Sequence, residues 1–428
     1  MAGGSTSAAL DVLWCAESRG VSLPCGSSPM RQRRTRQMSG VYIHIPFCKS
    51  RCVYCGFYST TMLSLRDSYV EALCAEMRRR AGYLAARTST AASMERGVAK
   101  TRTRVSTVYM GGGTPSQLSA DNMRRLFGTL HDVYDVEGGA EITVECNPDD
   151  IDGSYASMLR QLGVNRISLG AQTFSDKYLR FMGRRHTARQ VEKAVDILRH
   201  AGFGNISIDI MFGFPSQTVS ECDCDIRRAL SLEVEHISAY GLTYEEGTPL
   251  NDMLRRGEIK DIDEETYIAM YDGIANSLTG AGYEHYEISN FARPGRRSRH
   301  NSGYWHGVPY IGLGAAAHSF DTLSRQWNIA NVREYISRTS DGGQCSGREA
   351  LGKETMYNEI VMTALRTCEG ISVDRVGDRF GKDCQSHLLR CAEKYISNGV
   401  LVLGGGFMRL SRKGIFISDA VMSDLMMT

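Results

Sequence analysis

From position 41 onward, short apolar runs alternate with stretches of helical period. The runs at 41–45, 105–110, 142–145, 166–169, 206–210 and 234–239 are too short for helices and read as strands. Between them, apolar residues recur three and four positions apart. Val70, Leu73 and Met77 make one such face, and Met123, Leu126, Phe127 and Leu130 a second. Val191, Ala194, Val195 and Leu198 make a third. Gly163 and Gly202 stand where two of these helices should stop. Six strand–helix repeats predict an α/β fold with a parallel sheet and right-handed crossovers. The pattern alone does not decide whether that sheet closes.

The pattern breaks at three places. Residues 1–37 are rich in Gly, Ser and Ala and turn basic at Arg31, Arg33, Arg34 and Arg36. They lack the apolar core of a secretory signal. Arg and Ser suit an organelle transit peptide, whereas Asp11, Glu17 and a poor amphipathic pattern do not. Met30 and Met38 offer alternative starts, the latter just before the first strand. We expect 1–37 to be a disordered extension or a mis-assigned start. The stretch 85–104 is polar and without period, which predicts a surface insertion. From about 350 the order changes to helix, turn, helix and hairpin. Helices are expected around 356–365 and 388–396, and hairpin strands at 400–403 and 408–410 through Gly404-Gly405-Gly406. That order is winged-helix-like, and it suits either a cap on the core or a DNA-binding wing. Only Arg409, Arg412 and Lys413 favour the wing. The expected division is 38–260 as core, 261–349 as core extension and 350–428 as the C-terminal winged-helix-like domain.

Composition narrows the classes. With 428 residues, two domains can each bury a core. A formal net charge of +2 creates no strong field for nucleic acid or acidic membranes. No apolar run reaches the length of a membrane span. The thirteen cysteines are odd in number and irregular in spacing, which predicts free thiols in a reducing compartment, and so a cytoplasmic protein. Cys222 and Cys224 form a C-x-C with no second ligand pair beside it.

Chemistry concentrates in the run Cys48-Lys-Ser-Arg-Cys52-Val-Tyr-Cys55. Three thiolates from one loop fit a zinc site that borrows a fourth ligand, or a 4Fe–4S cluster with one iron left open. Gly111-Gly112-Gly113-Thr114-Pro115 follows the second strand, where a glycine run lets backbone approach a ligand. Glu145 ends the third strand. Gln172 and Arg184 follow the fourth, and Asp209 lies between Ile208 and Ile210, where an acid needs a partner. Taken singly these residues also fit a tight turn, a solvated acid and an Arg–Asp pair. His300, in His300-Asn301-Ser-Gly-Tyr304-Trp305, is a candidate axial ligand for heme iron or a hydrogen-bonded structural histidine. Tyr304 and Trp305 offer aromatic surface for a porphyrin. His318, in a Gly/Ala-rich segment, is a second imidazole candidate.

The cysteine loop, preceded by Tyr42-Ile-His44-Ile-Pro-Phe47 and followed by Gly56-Phe57, resembles the radical S-adenosylmethionine (SAM) enzymes. Within them it is similar to the branch holding the oxygen-independent coproporphyrinogen III dehydrogenases and the HemW heme chaperones. The dehydrogenases usually carry a fourth cysteine two places after the third. This chain has Phe57 there, as HemW-type proteins do, and the string at His300 matches their H-N-x-x-Y-W motif. The resemblance runs from about residue 40 to about 420. It implies a partial (β/α)6-type barrel with a C-terminal α/β winged-helix-like cap. It implies a 4Fe–4S cluster on Cys48, Cys52 and Cys55, with SAM on the open iron. It places Tyr42, Gly112, Gly113, Thr114, Glu145, Gln172, Arg184 and Asp209 around SAM, and heme at His300. A reduced cluster passes an electron to the SAM sulfonium, giving methionine and a 5′-deoxyadenosyl radical. The implied function is heme binding and transfer to an acceptor protein, with room for a homodimer governed by the cluster. The rival is oxidative decarboxylation of coproporphyrinogen III. A different radical SAM reaction and a winged-helix regulator stand further off.

Overall fold

The computed structural model describes residues 39–84, 102–343 and 345–427. The readings of 1–37, and of the insertion as far as 101, lie outside the described residues.

The six expected strands are present as β1 (Gly40–Ile45), β2 (Arg104–Gly112), β3 (Asp135–Cys146), β4 (Arg166–Gln172), β5 (Ile206–Phe212) and β6 (His236–Gly241). They pair in parallel and in chain order. The sixth begins two residues later than its apolar run, because Val234 is a buried lead-in residue. The three amphipathic faces lie on helices Arg66–Arg79, Ala120–Val133 and Ala188–His200, and each is buried as its period requires. Gly163 and Gly202 end their helices in the left-handed conformation, at φ +84° and +87°.

Register explains how the barrel divides its two faces. Val41, Ile43, Val108, Met110, Ile142 and Val144 share the face toward the helices and are almost wholly buried. The alternate residues line the interior, and most of them are polar. Thr107 and Tyr109 sit beside Gly40 and Tyr42, Glu141 and Thr143 beside those, and Ser168, Ser207, Asp209 and Ser238 farther round. Asp209 therefore alternates with apolar neighbours because it faces a polar interior.

The sheet does not close on itself. On the β6 side lie β7 (Glu284–Glu287) and β8 (Asn290–Ala292). Beside β1 runs β9 (Tyr310–Leu313), in parallel. Beyond it, β10 (His318–Phe320), β11 (Ser324–Asn328) and β12 (Ser346–Ala350) continue antiparallel. The result is a partial barrel, open on one side.

A second compact unit comprises Gly352–Thr428 with Tyr286–Ile288. It contains helices Lys353–Ala364, Val373–Phe380 and Lys382–Ser397, and strands β13 (Ile371–Ser372), β14 (Leu401–Gly404) and β15 (Phe407–Leu410). Gly404 pairs with Phe407, so the hairpin turn is Gly405-Gly406, at φ +59° and +79°. Two positive φ values in succession are what a two-residue turn needs to match strand twist. Within this unit Arg366 pairs with the buried Glu287 at 2.7 Å. Among the described residues no helix is long and apolar enough to cross a membrane.

Candidate functional site

The cysteine loop leaves the carboxyl end of β1 and is pinned on several sides. Cys48 N–H donates to Thr60 O at 2.9 Å, and Thr60 N–H to Pro46 O at 2.7 Å. Val53 N–H donates to Met182 O at 3.1 Å and its carbonyl accepts from Leu250 N–H at 3.0 Å. Val53 and Tyr54 pack against a buried cluster that includes Tyr178, Leu179, Met182 and Met211. Lys49 reaches Asp150 at 3.0 Å. The loop thus holds its shape through backbone bonds and apolar packing.

Its three thiols are free and half-buried. Burial pushes the Cys48 and Cys55 thiols above their ordinary value, and charge on neighbouring cysteines pushes the same way. Such thiols ionise when a metal takes their charge. The Arg184 guanidinium lies 3.6 Å from Cys52 Sγ, and Thr114 Oγ1 lies 3.5 Å from Cys48 Sγ.

The loop roofs a cavity of about 490 Å³ inside the barrel. Cys48, Cys52, Cys55, Gly112, Gly113, Thr114, Glu145, Gln172, Arg184 and Asp209 all line it. The glycine run is tightly packed. At Gly113 a Cβ would stand 2.8 Å from the Pro46 carbonyl carbon and 2.9 Å from Ile45 O. Gly112 sits at φ +111°, where its N–H donates to Glu145 at 3.1 Å. Gln172 is held at φ +65° beside a register shift in β4, a strained backbone at the cavity wall.

Two half-buried acids set the cavity's electrostatics. Burial raises Glu145 to about 7, opposed by hydrogen bonds from Tyr109 and Gly112, with Asp209 raising it further. Burial raises Asp209 to about 6, opposed by Ser238 and Ser168. Ser168 Oγ lies 3.4 Å from both Asp209 oxygens. Arg184 donates to Asn147 Oδ1 at 2.8 Å and to Gly170 O at 2.7 Å, and no ion pair joins it to Asp209. Its buried Nε has no partner.

Tyr42 and His300 are not in the cavity lining. Tyr42 donates to His44 Nδ1 at 2.9 Å, because His44 Nε2 is spent on Tyr58 O. His300, on helix Arg299–Trp305, is 3 % exposed. Its Nδ1 meets Thr107 Oγ1 at 2.9 Å and its Nε2 meets Tyr304 OH at 2.9 Å. Burial lowers it to about 3, so the ring is neutral. As it stands here, His300 has no nitrogen to offer a metal. Ser298 and Asn301 of the same segment do line the cavity.

No sequence motif singles out Tyr109, which the fold brings into the site. Its hydroxyl donates to Glu145 at 2.7 Å and its ring stacks on His300 at 5.2 Å. Its place two residues before Gly111, on the interior phase of β2, was the available signal.

The residues fit a cluster with SAM. Three thiols share one loop over a cavity holding an orphaned guanidinium nitrogen, two acids and a glycine cradle that a side chain would fill. The donor set and the barrel define a radical SAM protein. The Radical SAM superfamily model matches residues 42–227, and the HemN C-terminal domain model matches 351–417. The heme chaperone HemW of Bacillus subtilis is 31% identical over 388 residues, 90% of this chain and 98% of that protein. The heme chaperone HemW of Lactococcus lactis is 35% identical, over 80% of this chain and 85% of that protein. Coproporphyrinogen III oxidase (HemN) from Escherichia coli superposes with a TM-score of 0.76 at 21% identity, covering 91% of this chain and 90% of its own, which speaks for the fold. The chain belongs to the heme chaperone HemW family of radical SAM proteins.

Proposed function

We propose that this protein binds heme and passes it to an acceptor protein, carrying a 4Fe–4S cluster on Cys48, Cys52 and Cys55 with SAM beside it. The observation that carries this reading is the likeness to HemW heme chaperones along 90% of the chain. Phe57 in the fourth-cysteine position supports it: the side chain stands at the cavity rim, 72% exposed, and brings no fourth thiol there. When bound, the cluster supplies a one-electron donor to the SAM sulfonium.

The chain's own groups bind and orient. Gly112 and Gly113 let backbone approach the cofactor. Glu145 and Asp209 accept from its cationic groups, and Thr114 and Gln172 complete the wall. Arg184 braces Asn147 and Gly170 O and keeps a positive charge beside Cys52. Tyr42 acts at one remove, holding His44, whose ring packs against Gly112. His300, with both ring nitrogens held by Thr107 and Tyr304, packs on Tyr109 and is not assigned to the iron. Free thiols throughout the described residues suit a reducing compartment, for which we propose the cytoplasm.

The test is hemin titration of the cluster-loaded protein, followed by addition of an apo-hemoprotein. One equivalent bound with a distinct Soret band, and transfer faster than from free-protein controls, is the expected result. Absence of saturable binding overturns the reading.

A further inference from the structure

The flank of the sheet beyond β9 carries side chains that the cluster cavity does not use. In β10, Ser319 is buried, while His318 on the opposite face is exposed and Phe320 half-exposed. Register sets His318 opposite Trp327, and Trp327 opposite Gly347. The three form one row across β10, β11 and β12. The row exists because position 347 has no side chain. A Cβ there would stand 2.7 Å from the indole, so the indole lies across Gly347. Trp327 nevertheless keeps 40% of its surface open, and its ring centroid is 6.5 Å from that of His318, at 30°. Phe320 lies on the same face, opposite Arg325.

His318 differs from His300 in the feature that matters for ligation. Both nitrogens of His300 are spent on hydroxyls, whereas the His318 imidazole has no hydrogen-bond partner among the described residues. Partial burial, with the positive charge of Arg325, holds His318 below its ordinary value. A neutral imidazole presents a lone pair to iron at physiological pH. A half-exposed indole beside it offers the flat apolar surface that a porphyrin covers.

We propose that the His318–Trp327 row is a heme-docking site on the open flank of the barrel, with His318 as axial ligand to the iron and Trp327 and Phe320 as porphyrin contacts. This rests on the heme-binding reading above and assigns the accessible ligand to a different histidine. An exposed ligand on a sheet flank also suits a cargo that must leave for another protein.

The experiment is hemin titration of the full chain in four forms: wild type, His318→Ala, His300→Ala and Trp327→Leu. His318→Ala is expected to lose at least about tenfold in hemin affinity and to shift the Soret band, while His300→Ala stays within about threefold of wild type. Free imidazole added to His318→Ala should restore the wild-type band, which repair of a merely misfolded variant would not do. Trp327→Leu should weaken binding without changing the ligand signature. Intact affinity and spectrum in His318→Ala, with loss in His300→Ala, overturns this site and leaves the heme reading standing. Absence of saturable binding by wild type overturns the heme reading itself, and this site with it.

Discussion

Glu145 and Asp209 share a cavity with raised affinities for protons, near about 7 and about 6. A proton and the permanently positive SAM sulfonium therefore compete for the same acids. Below these values the acids are neutral and attract the cation weakly; above them both are charged. SAM affinity should rise by about tenfold or more between pH 5.5 and 8, since one pKa unit corresponds to about 1.4 kcal/mol. Calorimetric titration at the two ends checks this, and equal affinities would contradict it. Tyr109→Phe removes one hydrogen bond to Glu145 and keeps the ring on His300. It should weaken SAM by about fivefold, the worth of about 1 kcal/mol, with hemin binding unchanged. Cys52→Ala should abolish the cluster, and iron and sulfide retained after that change would remove the ligand assignment. At this scale the cysteines were legible because three soft ligands at short spacing have few other uses. The commitments of His300 were not legible, because Thr107 lies 193 residues away and only the fold brings it to the ring.

Strands β1 to β6 were readable because one face of each must be apolar to meet the helices. The outer strands were not. β10 has three residues and β11 reads Ser-Arg-Gln-Trp-Asn, too short and too polar for any periodic signal. They gain order by pairing with neighbours, which is a tertiary effect. The loop after β2 makes the sharpest prediction for an element. The Cβ of a residue at Gly113 would press on backbone atoms of Pro46, Ile45 and Phe47, and backbone cannot move aside as a side-chain tip can. Gly113→Val should therefore lower the cluster content and cost about 2 kcal/mol or more in a denaturant melt. A variant with wild-type iron content and midpoint would show that the cradle has slack.

The whole molecule joins a polar-lined open barrel to a winged-helix-like unit whose order was already visible from residue 350. The two uses of that order differ in electrostatics. A net charge of +2 over 428 residues gives the molecule as a whole no strong field for phosphates, and we propose that this unit does not bind DNA. Mobility-shift assays at about 150 mM salt should show no retention of duplex DNA, and salt-sensitive retention would revive the wing. The barrel itself does not separate a chaperone from a decarboxylase, since the two share a fold. The measurement that separates them is anaerobic turnover. Cluster-loaded protein, verified by its spectrum, is given SAM, a low-potential reductant and coproporphyrinogen III. The account predicts no protoporphyrinogen from a preparation that still binds hemin. Protoporphyrinogen formed together with 5′-deoxyadenosine would contradict it and make the chain an enzyme of porphyrin synthesis.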